Sequence, residues 1–142
     1  MRRTTVATTA REWIGTPYHH QASRRGAGCD CLGLVRGVWR ELFGTEPEAA
    51  PPYSPDWAEA VGEETLLQAA SRHFVPTDAV RDGSLLVFRW KAGTPAKHVG
   101  IAVNAARFVH AYDAAGRAVE GELCAMWRRR LVATYDFPGV TD

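Results

Sequence analysis

One thiol and two imidazoles define the chemistry open to this 142-residue chain. Cys31 stands where an irregular, Gly-rich stretch ending in Gly28-Cys29-Asp30 gives way to a helical pattern. A thiol in the first turn of a helix feels the positive end of the macrodipole and free backbone N–H groups, and both favour thiolate. The same N–H groups could hold the oxyanion of an acyl-transfer intermediate. His98 and His110 lie on two consecutive strand-like runs. If Asn104-Ala105-Ala106 is the loop of a hairpin, cross-strand partners sum to an even number, and both histidines project from one face. His110 is then opposite Gly100 and diagonal to His98, and the missing side chain at Gly100 leaves room for the imidazoles to meet. Val99, Ile101, Val103 and Val109 take the other face, as a core requires. In that arrangement His98 takes the thiol proton and returns it to the leaving amine, while His110 accepts from its second nitrogen and fixes the tautomer. An inert core thiol and a half-buried strand histidine remain the alternatives at this level.

The elements that must position these groups are legible from periodicity. Val6, Ala10, Trp13 and Ile14 mark one face of a helix over residues 4–14, ended by Gly15 and Pro17. Residues 16–28 have no period and read as a loop. A second helix spans Asp30 to Phe43, with Asp30 as N-cap and Gly44 just beyond its end. Gly33 and Gly37 lower its propensity by roughly 1 kcal/mol each, which implies that another element packs closely there. Pro47, Pro51, Pro52 and Pro55 mark a connection, followed by helical spacing over 56–74 through Trp57, Ala60, Val61, Leu66, Leu67, Ala70 and Phe74. Strands are expected at Leu85–Trp90, His98–Val103, Arg107–Tyr112, Ala118–Leu123 and Met126–Phe137. Helices first and a meander of strands afterwards imply an α+β fold, with N-terminal helices on a mainly antiparallel sheet of about five to six strands, in one domain over 1–142.

Composition excludes several classes. Seventeen Lys and Arg against sixteen Asp and Glu leave a net charge of +1, so no nucleic-acid partner is expected. The one basic cluster, Arg128-Arg129-Arg130, reads as a solvated strand edge. Three cysteines, Cys29, Cys31 and Cys124, form no disulfide framework. Cys29, Cys31, His19 and His20 could supply four zinc ligands, but the spacing matches no familiar zinc pattern, and neither metal nor cofactor is expected. No secretory leader and no membrane span is expected. Core burial is the first reading of Trp57, Trp127 and Tyr135, a docking surface the second.

Five motifs in order carry a resemblance over about residues 5–137. They are Gly15-Thr16-Pro17-Tyr18, Asp30-Cys31-Leu32-Gly33-Leu34-Val35, Leu85-Leu86-Val87-Phe88 after Gly83, His98-Val99-Gly100-Ile101 and Phe108-Val109-His110-Ala111. Together they resemble the NlpC/P60 family of cell-wall cysteine peptidases, which has a papain-like fold, and most of all its compact members from phages, prophages and gene-transfer-agent clusters. The resemblance implies Cys31 as nucleophile, His98 as base and His110 as third polar residue. It also implies that Tyr18 lines the site near the oxyanion and that Asp30 helps receive a free amine. The implied substrate is a peptidoglycan stem peptide, cut between γ-D-glutamyl and the diamino acid. The implied setting is a phage-like tail, with tail or baseplate proteins as partners; a structural or docking part of such a tail, with little peptidase activity, is the alternative. Three places depart from the family pattern: Leu32 replaces the Ser that usually follows the cysteine, Ser84 replaces an Asp after the glycine of the strand motif, and His19-His20 occupies the loop where the family tends to have Gly, His20 reading first as an exposed loop histidine and second as lining the substrate cleft. The Cys–His spacing of 67 (98 − 31) is also long, with 54–74 as the extra material.

Overall fold

A computed structural model describes residues 1–46 and 64–142. Helix α1 is Arg3–Arg11, α2 is Cys31–Phe43 and α3 is Thr65–His73. The expected helix over 56–74 is therefore seen only in its second half; Trp57, Ala60, Val61 and the prolines from Pro47 to Pro55 lie outside the described residues. Among the described residues, no helix is long and apolar enough to cross a membrane.

A six-stranded antiparallel sheet is built from β3 (Val75–Thr77), β4 (Leu85–Phe88), β5 (His98–Ala102), β6 (Arg107–Tyr112), β7 (Arg117–Glu122) and β8 (Leu131–Asp136), in the order β3-β8-β4-β5-β6-β7. A small ribbon of β1 (Ser23–Arg24) and β2 (Gly28–Cys29) lies inside the stretch expected to be loop. The fold is α+β, as the element order implied.

Both faces of the sheet are covered. On one face Val6 and Ala10 of α1 and Leu34 and Val38 of α2 pack with Leu85, Val87, Val99, Ile101 and Val109. On the other, Leu86, Phe88, Ala102 and Phe108 pack under Trp127. Every residue of β4 and β5 is consequently buried.

Trp127 belongs to a short helix, α4 (Ala125–Arg130), which corrects the expected strand over Met126–Phe137. Met and Arg are helix formers, and the β-branched and aromatic residues begin only at β8. Arg128, Arg129 and Arg130 thus form the last turn of a helix rather than a strand edge, where cations complement the dipole. Trp127 and Tyr135 are both core residues.

Helix α1 also stops earlier than expected. Gly15, at φ +90°, turns the chain, so that Trp13 is buried while Ile14 points to solvent. The two glycines of α2 explain where the buried indole goes. A Cβ on Gly37 would come within 2.1 Å of the Trp13 ring, and one on Gly33 within 1.8 Å of the Ala22 carbonyl oxygen. At Gly83 the backbone has φ +81°, and a Cβ would meet Val6 at 2.8 Å, so glycine is required twice over.

Gly37→Ala should therefore destabilise the protein, although alanine is the better helix former. Overpacking against Trp13 costs about 1–3 kcal/mol, more than the ~1 kcal/mol of propensity gained. Thermal denaturation of the two chains checks this: a higher Tm for the alanine variant would contradict it.

Candidate active site

The site is assembled where the start of α2 meets the start of β5. Asp30 caps α2: its Oδ1 accepts from the Gly33 N–H at 2.7 Å. Its Oδ2 accepts from the Gln21 N–H at 2.7 Å and has His20 Nδ1 at 3.9 Å. Gln21 is a left-handed non-glycine residue, φ 64°, held by that bond. Asp30 is only 3% exposed, so it organises the helix start and the loop that walls the site. Gly44 ends α2 in the left-handed conformation, φ 83°.

Cys31, the first residue of α2, lines a cleft of about 320 Å³ together with His98, Tyr18, His20 and Asp30. Its Sγ lies 3.8 Å from the Lys97 carbonyl oxygen. The helix start does not prevail over burial here. Burial, and then the Asp30 carboxylate, push the Cys31 thiol up to about 12, although the N–H groups of Val99 and Leu32 favour the thiolate. Cys29 is wholly buried, and the same two causes push its thiol up to about 12.

The β5–β6 pairing joins Ile101 to Val109 and Ala102 to Phe108. Each pair sums to 210, so the same register sets Gly100 against His110 and His98 against Tyr112. His98 Nε2 is 2.8 Å from His110 Nδ1. A Cβ on Gly100 would lie 3.2 Å from the His110 Cβ and 2.8 Å from the Phe108 ring, so glycine there admits the close approach of Phe108 and His110. Both imidazoles are buried, at 1% and 2% exposure. Burial, then His110, then Arg130 hold His98 well below the ordinary histidine value. Burial alone lowers His110 to about 4. Burial thus favours the neutral form of the thiol and of both imidazoles.

Tyr18 lines the cleft, its phenol pushed up to about 12 by burial and by Asp30. Its hydroxyl therefore stays protonated, a hydrogen-bond donor. Leu32 and Leu66 supply apolar walls, and His20 lines the cleft as well. Ser84, in the other departing position, is buried and accepts from the Arg81 N–H at 2.9 Å, closing the turn before β4.

Sequence reasoning missed the aromatic housing. Trp90 and Trp127 stand 4.8 and 5.6 Å from the His98 ring, and Tyr112 stacks on His110 at 4.8 Å. Tyr112 could have been found, being two residues beyond His110 on one strand face. Trp127 carries no local signal, because it arrives from α4 across the sheet. Among the described residues no group of three or more His, Cys, Asp and Glu could hold a metal ion.

The sequence model of the NlpC/P60 family matches residues 15–135. The chain belongs to the NlpC/P60 family. This is a cysteine peptidase family. An Escherichia coli K12 protein, the murein DD-endopeptidase MepS/murein LD-carboxypeptidase, is 29% identical over 119 residues, which are 84% of this chain and 54% of that protein. The Bacillus subtilis γ-DL-glutamyl hydrolase is 31% identical over 109 residues, 75% of this chain and 22% of the other. The chain thus spans about half the length of the first of these relatives. The NlpC/P60 domain of the peptidoglycan hydrolase SagA superposes with a TM-score of 0.67 at 19% identity, covering 96% of this chain and all of that one. A Bacillus cereus NlpC/P60 family protein does so at 0.68 and 16% identity, over 96% of this chain and 40% of its own. At these identities both establish the shared NlpC/P60 fold.

The buried histidines carry a stability consequence. His98 and His110 are neutral when folded, yet bind protons near pH 6.5 once the chain unfolds. As pH falls below that value the unfolded state takes up protons that the native state refuses, so stability falls. For His110, lowered to about 4, the loss at pH 5 relative to pH 7 is roughly 2 kcal/mol. Denaturant unfolding at both pH values should show it, and His110→Gln should lose correspondingly less.

Proposed function

We propose that this chain is a cysteine peptidase that hydrolyses an amide of the peptidoglycan stem peptide, at the bond between γ-D-glutamyl and the diamino acid. The single observation that carries the reading is the 2.8 Å His98–His110 contact beside the cleft that Cys31 lines. With His98 Nε2 engaged by His110, Nδ1 is the ring nitrogen left to serve the thiol.

Cys31 is the nucleophile and His98 the general base. Because both rest neutral, the proton moves from Sγ to His98 as sulfur attacks the carbonyl carbon, rather than beforehand. His98 Nε2–H donates to His110 Nδ1, which fixes the tautomer and steadies the imidazolium that forms. The developing oxyanion is met by the backbone N–H of Cys31, a first-turn group without an intrahelical partner, and by the protonated Tyr18 hydroxyl. The C–N bond then breaks, His98 delivers its proton to the leaving amine, and an acyl-enzyme remains on Cys31. Water, deprotonated by His98, hydrolyses it. Asp30 serves this chemistry by capping α2, and its carboxylate faces the cleft where an amine of the substrate would arrive. Leu32 and Leu66 favour an apolar segment of the substrate beside these polar groups.

The relatives support the substrate class, being a murein DD-endopeptidase/LD-carboxypeptidase and a γ-DL-glutamyl hydrolase. Purified peptidoglycan digested by the wild type should release stem-peptide fragments that mass spectrometry assigns to one cleaved bond, and Cys31→Ala should release none. Equal release by both chains, or none by the wild type, would count against the reading and favour a structural or docking role.

The proposal extends to delivery by a phage-like tail. Its support is the likeness of the five-motif set to the compact members encoded by phages, prophages and gene-transfer-agent clusters. The protein should then be found by mass spectrometry in purified tail-bearing particles; its presence only as a free cytosolic protein would oppose this.

A further inference from the structure

The aromatic housing of the histidine pair ends in a cation. Arg130, the last residue of α4, has its guanidinium 5.7 Å from the Trp90 ring centre and 5.5 Å from that of Trp127. Those are the two indoles that stand against His98. They also touch each other, at 5.7 Å between ring centres. The backbone sets the reach, since the Arg130 carbonyl accepts from the Arg89 N–H at 2.8 Å, next to Trp90. The pairing of β4 with β8 shifts register between Val87 and Phe88, where the chain passes from α4 into β8. Arginine over an indole is held by cation–π attraction, and here one guanidinium serves two rings.

We propose that Arg130 is a positioning residue of the catalytic pair: it clamps Trp90 and Trp127 over His98 and so keeps water and protons from the outer side of that imidazole. The inference rests on the peptidase reading for its kinetic consequence, but not for its structural one. Around His98, the ionisable neighbours are His110 and Tyr112 from β6, Cys31 from α2 and Arg130 from α4. Lys97 precedes it in the chain, and Asp30, His20 and Asp113 face the cleft. Of the charged groups among these, Arg130 is the one that is seated on the rings covering His98. Its charge opposes a second charge on the imidazole, and its clamp excludes the water that would solvate one. Loss of either effect makes His98 easier to protonate, and a protonated His98 cannot accept the Cys31 proton.

The test follows His98 directly, by the pH titration of its ring signals in NMR spectra of the whole chain. Arg130→Gln should move the His98 midpoint upward by about one pH unit, while Arg130→Lys should stay near the wild type. On stem-peptide substrate, Arg130→Gln should shift the acid limb of the pH profile upward with the midpoint, so that kcat falls by up to about tenfold on the acid side of the wild-type limb, with KM unchanged and little change near pH 7. An Arg130→Gln chain whose His98 titrates as in the wild type overturns the proposal, even if its Tm has fallen. An Arg130→Lys chain that titrates like Arg130→Gln overturns it as well. Absence of hydrolysis by the wild type would sink the peptidase reading alone, because the titration is read without turnover.

Discussion

The register of β5 on β6 is the constraint from which the site follows. With cross-strand partners summing to 210, His110 falls opposite Gly100 and one step diagonal from His98. A slip of one residue would send one imidazole to the face covered by α1 and α2, and the 2.8 Å contact would be lost. Glycine at position 100 is what makes the register usable, because a Cβ there would run into the Phe108 ring and crowd the Cβ of His110. The tight Asn104 turn secures it, with the Asn104 Oδ1 accepting from the N–H groups of Ala106 and Arg107 at 2.8 and 2.9 Å.

Covering the sheet on both faces gives the site its electrostatic character. A half-open antiparallel sheet would have left the histidine face in water, with ordinary imidazoles. Here Trp127 closes that face, so His98 and His110 are held neutral. On the opposite side α2 carries Cys31 down to the Lys97–Val99 edge, where the thiol too is held neutral. The helix dipole and two N–H groups favour the thiolate but do not overcome burial, since desolvation acts on the full charge while the dipole supplies partial charges. Under the peptidase mechanism proposed above, such a site would move one proton between two neutral groups during attack, with Tyr18 and the start of α2 as donors to the charge that then appears.

Much of this was written locally. Asp30 and Gly44 bound α2 because capping and the left-handed turn are one-residue effects. The hairpin parity was legible because its loop is short. The glycines of α2 announced a close neighbour, and Trp13 and the Ala22 carbonyl are what they admit. The errors share a cause. Helix α4 and the sharp end of α1 are set by where Trp127 and Trp13 must be buried, and neither indole signals its destination from its own segment. The short strands β1, β2 and β3 exist only because Cys29, Ser23 and the residues of β8 pair with them.

The sequence by itself determined the candidate set of catalytic groups and its order along the chain. Cys31 at a helix start, His98 and His110 on one hairpin face, and the motif series of the NlpC/P60 family all follow from residue type and short-range spacing. Only the tertiary structure decided the protonation of that set, because burial is a property of what other elements bring to a residue. Trp90, Trp127 and Arg130 lie 8, 29 and 32 positions from His98, and no local pattern ties them to it. Packing alone turns a histidine on a strand into a neutral imidazole roofed by two indoles and a guanidinium.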